Sequence, residues 1–121
     1  MPHEGAASFL PLSPAVFHVM VSLADGSRHG YAIIKDVAER TGGAERLGAG
    51  TLYAIIKRLL LDDLIAEIPA PEHDSGGDQR RRYYRLTALG REVATGEAER
   101  LERAVASARS SRLLPTPGSA R

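Results

Sequence analysis

The chain has 121 residues, enough for one hydrophobic core, and its net charge of +1 leaves only the distribution of charge to speak for an anionic partner. Cysteine is absent, which excludes a disulfide framework, a thiolate metal site and a cysteine nucleophile. The histidines His3, His18, His29 and His73 are scattered without ligand spacing, no nucleophile–base pair stands out, and so neither a metal, another cofactor nor an enzyme is expected.

Residues 1–11, rich in small residues and proline, are expected to form a flexible N-terminal arm. Ser13-Pro14 then supplies an N-cap followed by proline at the first helical position. Val16, Val19, Met20 and Leu23 recur on one face until Asp25-Gly26-Ser27 ends the helix. The apolar run from Phe9 to Ala24 lacks a basic leader and is broken by Pro11 and Pro14. It reads as the first core helix of a cytoplasmic protein, not as a signal peptide or membrane span. A second helix is expected from His29 or Gly30 to Arg40, buried through Ile33, Ile34 and Val37 and stopped by Thr41-Gly42-Gly43. The third, from about Ala49 to Asp62, has the clearest periodicity: Leu52, Ile55, Ile56, Leu59 and Leu60 form a buried stripe. Opposite them lie Gly50, Ala54, Lys57, Arg58 and Leu61, a face that is small near its start and cationic further along.

A hairpin follows, with strands at Leu64–Ile68 and Arg81–Leu86 and a connection too rich in Pro, Gly and Asp for a tight turn. Alternation puts Tyr84 with Leu86 on the core face and leaves Tyr83 exposed with Arg81 and Arg85. Thr87 caps a helix running to about Arg109, with Ala94, Ala98, Leu101, Val105 and Ala108 spaced four and three apart like a helix–helix seam. Roughly 23 residues at a 1.5 Å rise make a rod of about 35 Å, longer than so small a core can cover, so a partner helix is expected. Residues 110–121 are expected to be a disordered tail.

The order helix, helix, helix, hairpin, long helix predicts a mainly α fold with a small two-stranded β-wing. That is a winged helix-turn-helix over residues 12–87, followed by a C-terminal dimerisation helix over 88–109. Such a fold would place the opening of the third helix in a DNA groove, with the wing beside it. Each candidate contact also has a plainer reading. Lys57 and Arg58 are either a solvated helix face or DNA contacts, and Arg80, Arg81 and Arg82 either protect a strand edge or reach phosphates. Tyr31 and Tyr53 are either core aromatics at helix starts or phosphate ligands, readings that are compatible. The DNA reading is favoured, because the cations sit opposite a well-formed buried stripe on a helix opened by Gly50-Thr51.

Four pieces in order resemble the PadR family of bacterial transcriptional regulators: His29-Gly30-Tyr31; Gly50-Thr51-Leu52-Tyr53; Arg58-Leu59 with Leu64-Ile65; and Arg82-Tyr83-Tyr84-Arg85-Leu86-Thr87 with Gly90. The resemblance spans about Leu12 to Ala108 and implies a homodimeric repressor that binds an inverted-repeat operator in double-stranded DNA. The expected DNA contacts are Tyr31, Lys35, Gly50, Thr51, Tyr53, Ala54, Lys57, Arg58, Arg80, Arg81 and Arg82. The expected dimer seam is Ala94, Ala98, Leu101, Val105 and Ala108. In several relatives a small molecule near the dimer interface releases the DNA. Two features depart from the family pattern. Asp63 replaces the usual glycine before the first wing strand, at a turn where aspartate tolerates a left-handed backbone. The chain also has no tryptophan and an alanine-lined last helix, which puts an aromatic effector pocket in question. The alternative from another class is a winged-helix protein-interaction module that does not read DNA.

Overall fold

The computed structural model describes residues 2–71 and 81–117. In chain order these form α1 (Pro2–Ala7), α2 (Pro14–Ala24), β1 (Arg28–His29), α3 (Gly30–Arg40), α4 (Ala49–Leu61), β2 (Ile65–Ile68), β3 (Tyr83–Leu86) and α5 (Ala88–Ser110). The core gathers Val19, Met20 and Leu23 of α2, Ile33 and Val37 of α3, and Leu52, Ile56 and Leu59 of α4. Leu64, Ile65, Tyr84 and Leu86 close it from the sheet side and Val93 from α5. The three-four spacing of the helices marks those of α2, α3 and α4, and strand alternation marks Tyr84 and Leu86, whereas Leu64, Ile65 and Val93 are core positions that the structure adds.

Helix starts follow local chemistry. The Ser13 hydroxyl accepts from the Val16 N–H at 3.3 Å, His29 Nδ1 from Ala32 N–H at 3.2 Å, and Thr87 Oγ1 from Gly90 N–H at 2.9 Å. Helix ends share one device. At the close of α3, α4 and α5, a left-handed residue (Gly42, Asp63 or Arg112) follows the C-cap. The next residue's N–H then reaches back to a carbonyl five residues earlier: Gly43 to Ala38, Leu64 to Leu59, Leu113 to Ala108. Asp63, at φ 59°, thus occupies the left-handed position that its place in the sequence suggested. The same turn is pinned from outside by the Thr87 hydroxyl, which donates to the Asp63 carbonyl at 2.6 Å.

Two expectations are corrected, and part of each terminal segment is helical or folded against α5. The sheet has three strands, in the order β1-β3-β2, where a two-stranded wing was expected. Arg28 and His29 pair with Tyr84 and Tyr83, a two-residue strand with no periodicity to announce it. Tyr83 is consequently buried, because the His29 ring covers it edge-on with centroids 5.2 Å apart. Residues 2–7, expected to be part of a flexible arm, form α1 and pack on α5. Ala6, Phe9 and Leu10 lie against the core, and Glu97 of α5 accepts from the Leu12 N–H at 3.2 Å. Arg100 holds that buried carboxylate through both its oxygens, so Glu97 titrates below its ordinary value despite burial. Residues 111–117, expected within the disordered tail, instead close the end of α5, and Arg109 Nε donates to the Pro115 carbonyl at 2.9 Å.

An ionic cluster ties the helix-turn-helix to α2. Arg40 bridges Asp25 and Asp36, while Arg28 pairs with Asp36 at 3.5 Å and donates to the Ser22 carbonyl at 2.9 Å. Burial works against the Asp36 charge, yet the Arg40 hydrogen bond and the Arg28 charge still hold it below the ordinary carboxylate range. No helix among the described residues is long and apolar enough to cross a membrane.

Candidate nucleic-acid interface

One face of α4 is given to the core and the other to solvent. Leu52, Ile56 and Leu59 are buried, while Gly50, Thr51, Tyr53, Ala54, Lys57 and Arg58 are all exposed. The N-cap is Gly48 and no side chain caps the helix, which leaves its first-turn N–H groups turned toward an outside acceptor. Small side chains at 49–51 let a ligand approach that backbone closely. Among the described residues Lys57 has no carboxylate within ion-pair distance, whereas Arg58 is paired along the helix with Asp62 at 3.2 Å. An exposed pair of that kind contributes little to stability, so Arg58 is easily surrendered to a stronger anion.

The two helical tyrosines lie at the surface. Tyr31 is 67% exposed and Tyr53 49%. Tyr53 lies across the start of α3, where the space over Gly30 receives its hydroxyl. A β-carbon at position 30 would come within 2.9 Å of Tyr53 Cζ and nearer still to the hydroxyl. Gly30→Ala is therefore expected to swing Tyr53 aside at little structural cost, because the clash is with the far end of a flexible side chain. Stability should change by no more than about 1 kcal/mol, roughly 3–6 °C in melting temperature for a domain this size, while DNA affinity falls. A thermal melt read beside a binding titration checks both halves.

Between the start of α3, Tyr53 and β3 opens a cleft of about 370 Å³, lined by His29, Gly30, Tyr31, Tyr53, Arg81, Arg82 and Tyr84. Two guanidinium groups and three phenol rings suit an anion more than an apolar ligand. Burial, reinforced by Glu67 and Tyr53, pushes the Tyr84 phenol above its ordinary value, so it remains a neutral hydrogen-bonding group. Arg82 reaches Glu67 across the hairpin at 3.7 Å, again an exposed pair. Arg81 is exposed at the same edge. Arg80 and the wing tip lie outside the described residues. Lys35 is exposed one turn beyond Tyr31 on α3.

The seam expected on α5 divides in two. Ala94 is packed against its own core, beside buried Val93 and Glu97. Ala98, Leu101 and Val105 face outward, with Leu101 37% and Val105 38% exposed, and Ala108 is half-buried. Together with Phe17 of α2 and Thr95, the first three line an open groove of about 560 Å³ rimmed by Glu99 and Glu102.

Three packed helices closed by an antiparallel sheet, with an uncapped and partly cationic helix face beside a basic cleft, define a winged-helix regulator of transcription. The Transcriptional regulator PadR-like family matches residues 19–95, more than half of the chain, and the protein belongs to that family. A PadR family transcription regulator from hypervirulent Clostridium difficile R20291 superimposes with a TM-score of 0.68 at 28% identity, covering 81% of this chain and 97% of that one. Bordetella bronchiseptica BpsR, whose DNA binding is regulated by 6-hydroxynicotinic acid, shares the fold with a TM-score of 0.60 at 23% identity, covering 87% of this chain and 75% of its own. An uncharacterized protein of Lysinibacillus sphaericus is 34% identical over 64 residues, 53% of this chain, which spans 56% of that relative's length.

Sequence reasoning located the face of α4 but not the seat that Gly30 makes for Tyr53. The two residues are 23 positions apart, and only the crossing of α3 with α4 joins them.

Proposed function

We propose that the protein is a homodimeric transcriptional repressor that binds an inverted-repeat operator in double-stranded DNA. The observation that carries this reading is the two-sidedness of α4, which is apolar and buried on one face and small, uncapped and cationic on the other. In the proposed complex that face enters the major groove, with Thr51, Ala54 and Lys57 nearest base edges or phosphates. Tyr31 and Lys35 hold the backbone, and Arg81 and Arg82 extend the footprint along the wing. The outward face of α5, from Ala98 to Val105, joins two copies. Twofold symmetry then sets the half-sites about one helical turn apart, ~34–36 Å. An effector of the kind that acts on BpsR would enter at the groove beside Phe17, whose apolar walls and rim of Glu99 and Glu102 favour a flat apolar molecule bearing a hydrogen-bond donor.

Lys57→Ala tests the placement of α4. Each phosphate neutralised contributes about 0.9 to the slope of log affinity against log salt. The variant is expected to lose about one unit of slope and to bind all sequences more weakly. A gel shift on DNA flanking the protein's own coding region supplies the specific probe. The competing reading, a protein-docking module, requires that this duplex does not shift even at low salt.

A further inference from the structure

Beyond the α3–α4 crossing, the surface carries a second cationic patch that no periodicity announces. α3 ends at two left-handed glycines, Gly42 at φ 60° and Gly43 at φ 88°, and the chain turns back over the last turn of α3 before α4 begins. Arg46, on that returning segment, lays its guanidinium over Gly43. A β-carbon there would sit 3.0 Å from one terminal nitrogen and 3.6 Å from the central carbon. Position 43 needs the left-handed backbone, and the end of the Arg46 side chain occupies the space over it.

Arg46 lies there as an exposed side chain. With Tyr31, Lys35 and Glu39 it lines an open groove of about 510 Å³ along α3, floored by Ile34 and Ala38. Tyr31 also lines the wing cleft, so the two depressions adjoin at its ring. Among the described residues neither Arg46 nor Lys35 has a carboxylate within ion-pair distance, in contrast to Arg28, Arg40, Arg58, Arg82 and Arg100, which all do. Glu39 is the one acidic side chain of the groove. A groove that brings two cations without a carboxylate partner together beside one tyrosine is suited to an anion from outside.

We propose that Arg46, seated on Gly43, and Lys35 form a second phosphate-binding patch, so that one DNA backbone is held along a track from the α3–α4 turn, across Tyr31, to the wing arginines. This rests on the DNA-binding reading above and adds a contact to it. The patch takes backbone phosphate, not base edges, and strengthens binding to every duplex alike.

The test is a salt titration of the full chain with a fluorescein-labelled random-sequence duplex, read by anisotropy. Arg46→Ala and Lys35→Ala are each expected to lower the salt slope by about 0.9, and Arg46→Lys to keep it. Glu39→Gln should tighten binding. Arg103→Ala on α5 removes an equal charge far from the track and should leave the slope unchanged. If Arg46→Ala and Lys35→Ala keep the wild-type slope while Lys57→Ala loses its unit, the patch is refuted and the α4 reading stands. If Arg103→Ala weakens binding as much as Arg46→Ala, net charge and not a patch is at work, and the proposal is again overturned. A wild-type chain that shows no salt-dependent binding overturns this proposal and the DNA reading together.

Discussion

Replacing Leu101 with glutamate is expected to leave the protein folded but monomeric, and to lower its affinity for an inverted-repeat duplex by on the order of a hundredfold or more. Leu101 sits mid-groove on α5, exposed in the isolated chain, between Ala98 and Val105 and facing Phe17 of α2. None of its own protomer's core depends on it, since the inward face of α5 is made by Gly90, Val93 and Glu97. A glutamate there is harmless while the chain is alone. In a dimer it must either lose its hydration against apolar neighbours or meet its symmetry mate, and both destabilise the contact. Separating the subunits turns one bivalent binding event into two independent ones, and the enhancement from linking two sites is commonly a hundredfold to ten-thousandfold. Light scattering at micromolar concentration reads the first effect and an operator titration the second. Dimers that persist in Leu101→Glu would move the subunit contact elsewhere. A monomer that binds with undiminished affinity would remove dimerisation from the mechanism.

The second large effect is expected on stability. A β-carbon at Gly90 would meet the main chain of Leu64, coming within 2.9 Å of its carbonyl carbon and closer to its oxygen. That carbonyl already accepts from the Thr87 N–H at 3.1 Å, and Thr87 caps α5 through the Gly90 N–H. The turn after α4 and the start of α5 are therefore clamped to each other, and only the absence of a side chain at position 90 lets them approach. Backbone cannot swing aside as a side chain can. Gly90→Ala is expected to cost about 3 kcal/mol or more, the upper end for overpacking, and to lower the melting temperature by roughly 10 °C or more. Gly96→Ala is the matched control. The added methyl there meets the end of the Leu10 side chain at 3.1 Å, while the helix gains from losing a glycine. A Gly90→Ala variant that melts with the wild type would mean that α5 does not rest on the strand entry at all.

The four longer helices were legible because their signals are local. Ser13-Pro14, the stripe from Leu52 to Leu60, and Thr87 each act within a few residues, and tertiary packing followed them. The face of α4 followed as well, since marking one side of a helix as core leaves the other for solvent. Asp63 was legible for a similar reason, because a helix must be turned there and aspartate is among the few residues that tolerate the turn.

What failed to show in the sequence involves partners far apart along the chain. β1 is two residues long and exists only because β3 offers its second edge, so Tyr83 was expected outside while His29 in fact covers it. The N-terminal residues hold helix and burial because α5 supplies a surface and Glu97 a buried acceptor for the Leu12 N–H, neither visible from residues 1–11. Ala94 fits the same four-three spacing as Ala98 and Leu101, yet α5 leaves its own domain between them, and periodicity carries no mark of where that happens. Arg46 went unnoticed because a single arginine after two glycines has no period of its own.

Sequence alone therefore determined the four longer helices and the two hairpin strands, about where those helices begin and end, and which side of α4 is spare. Those properties depend on hydrogen bonds and side-chain spacing within a turn or two. Only the tertiary structure decided that Tyr53 shelters over Gly30, that Tyr31 borders two cationic clefts, and that the outward part of α5 starts at Ala98. Each of these requires two surfaces to meet, and where surfaces meet is set by the packing of the whole core.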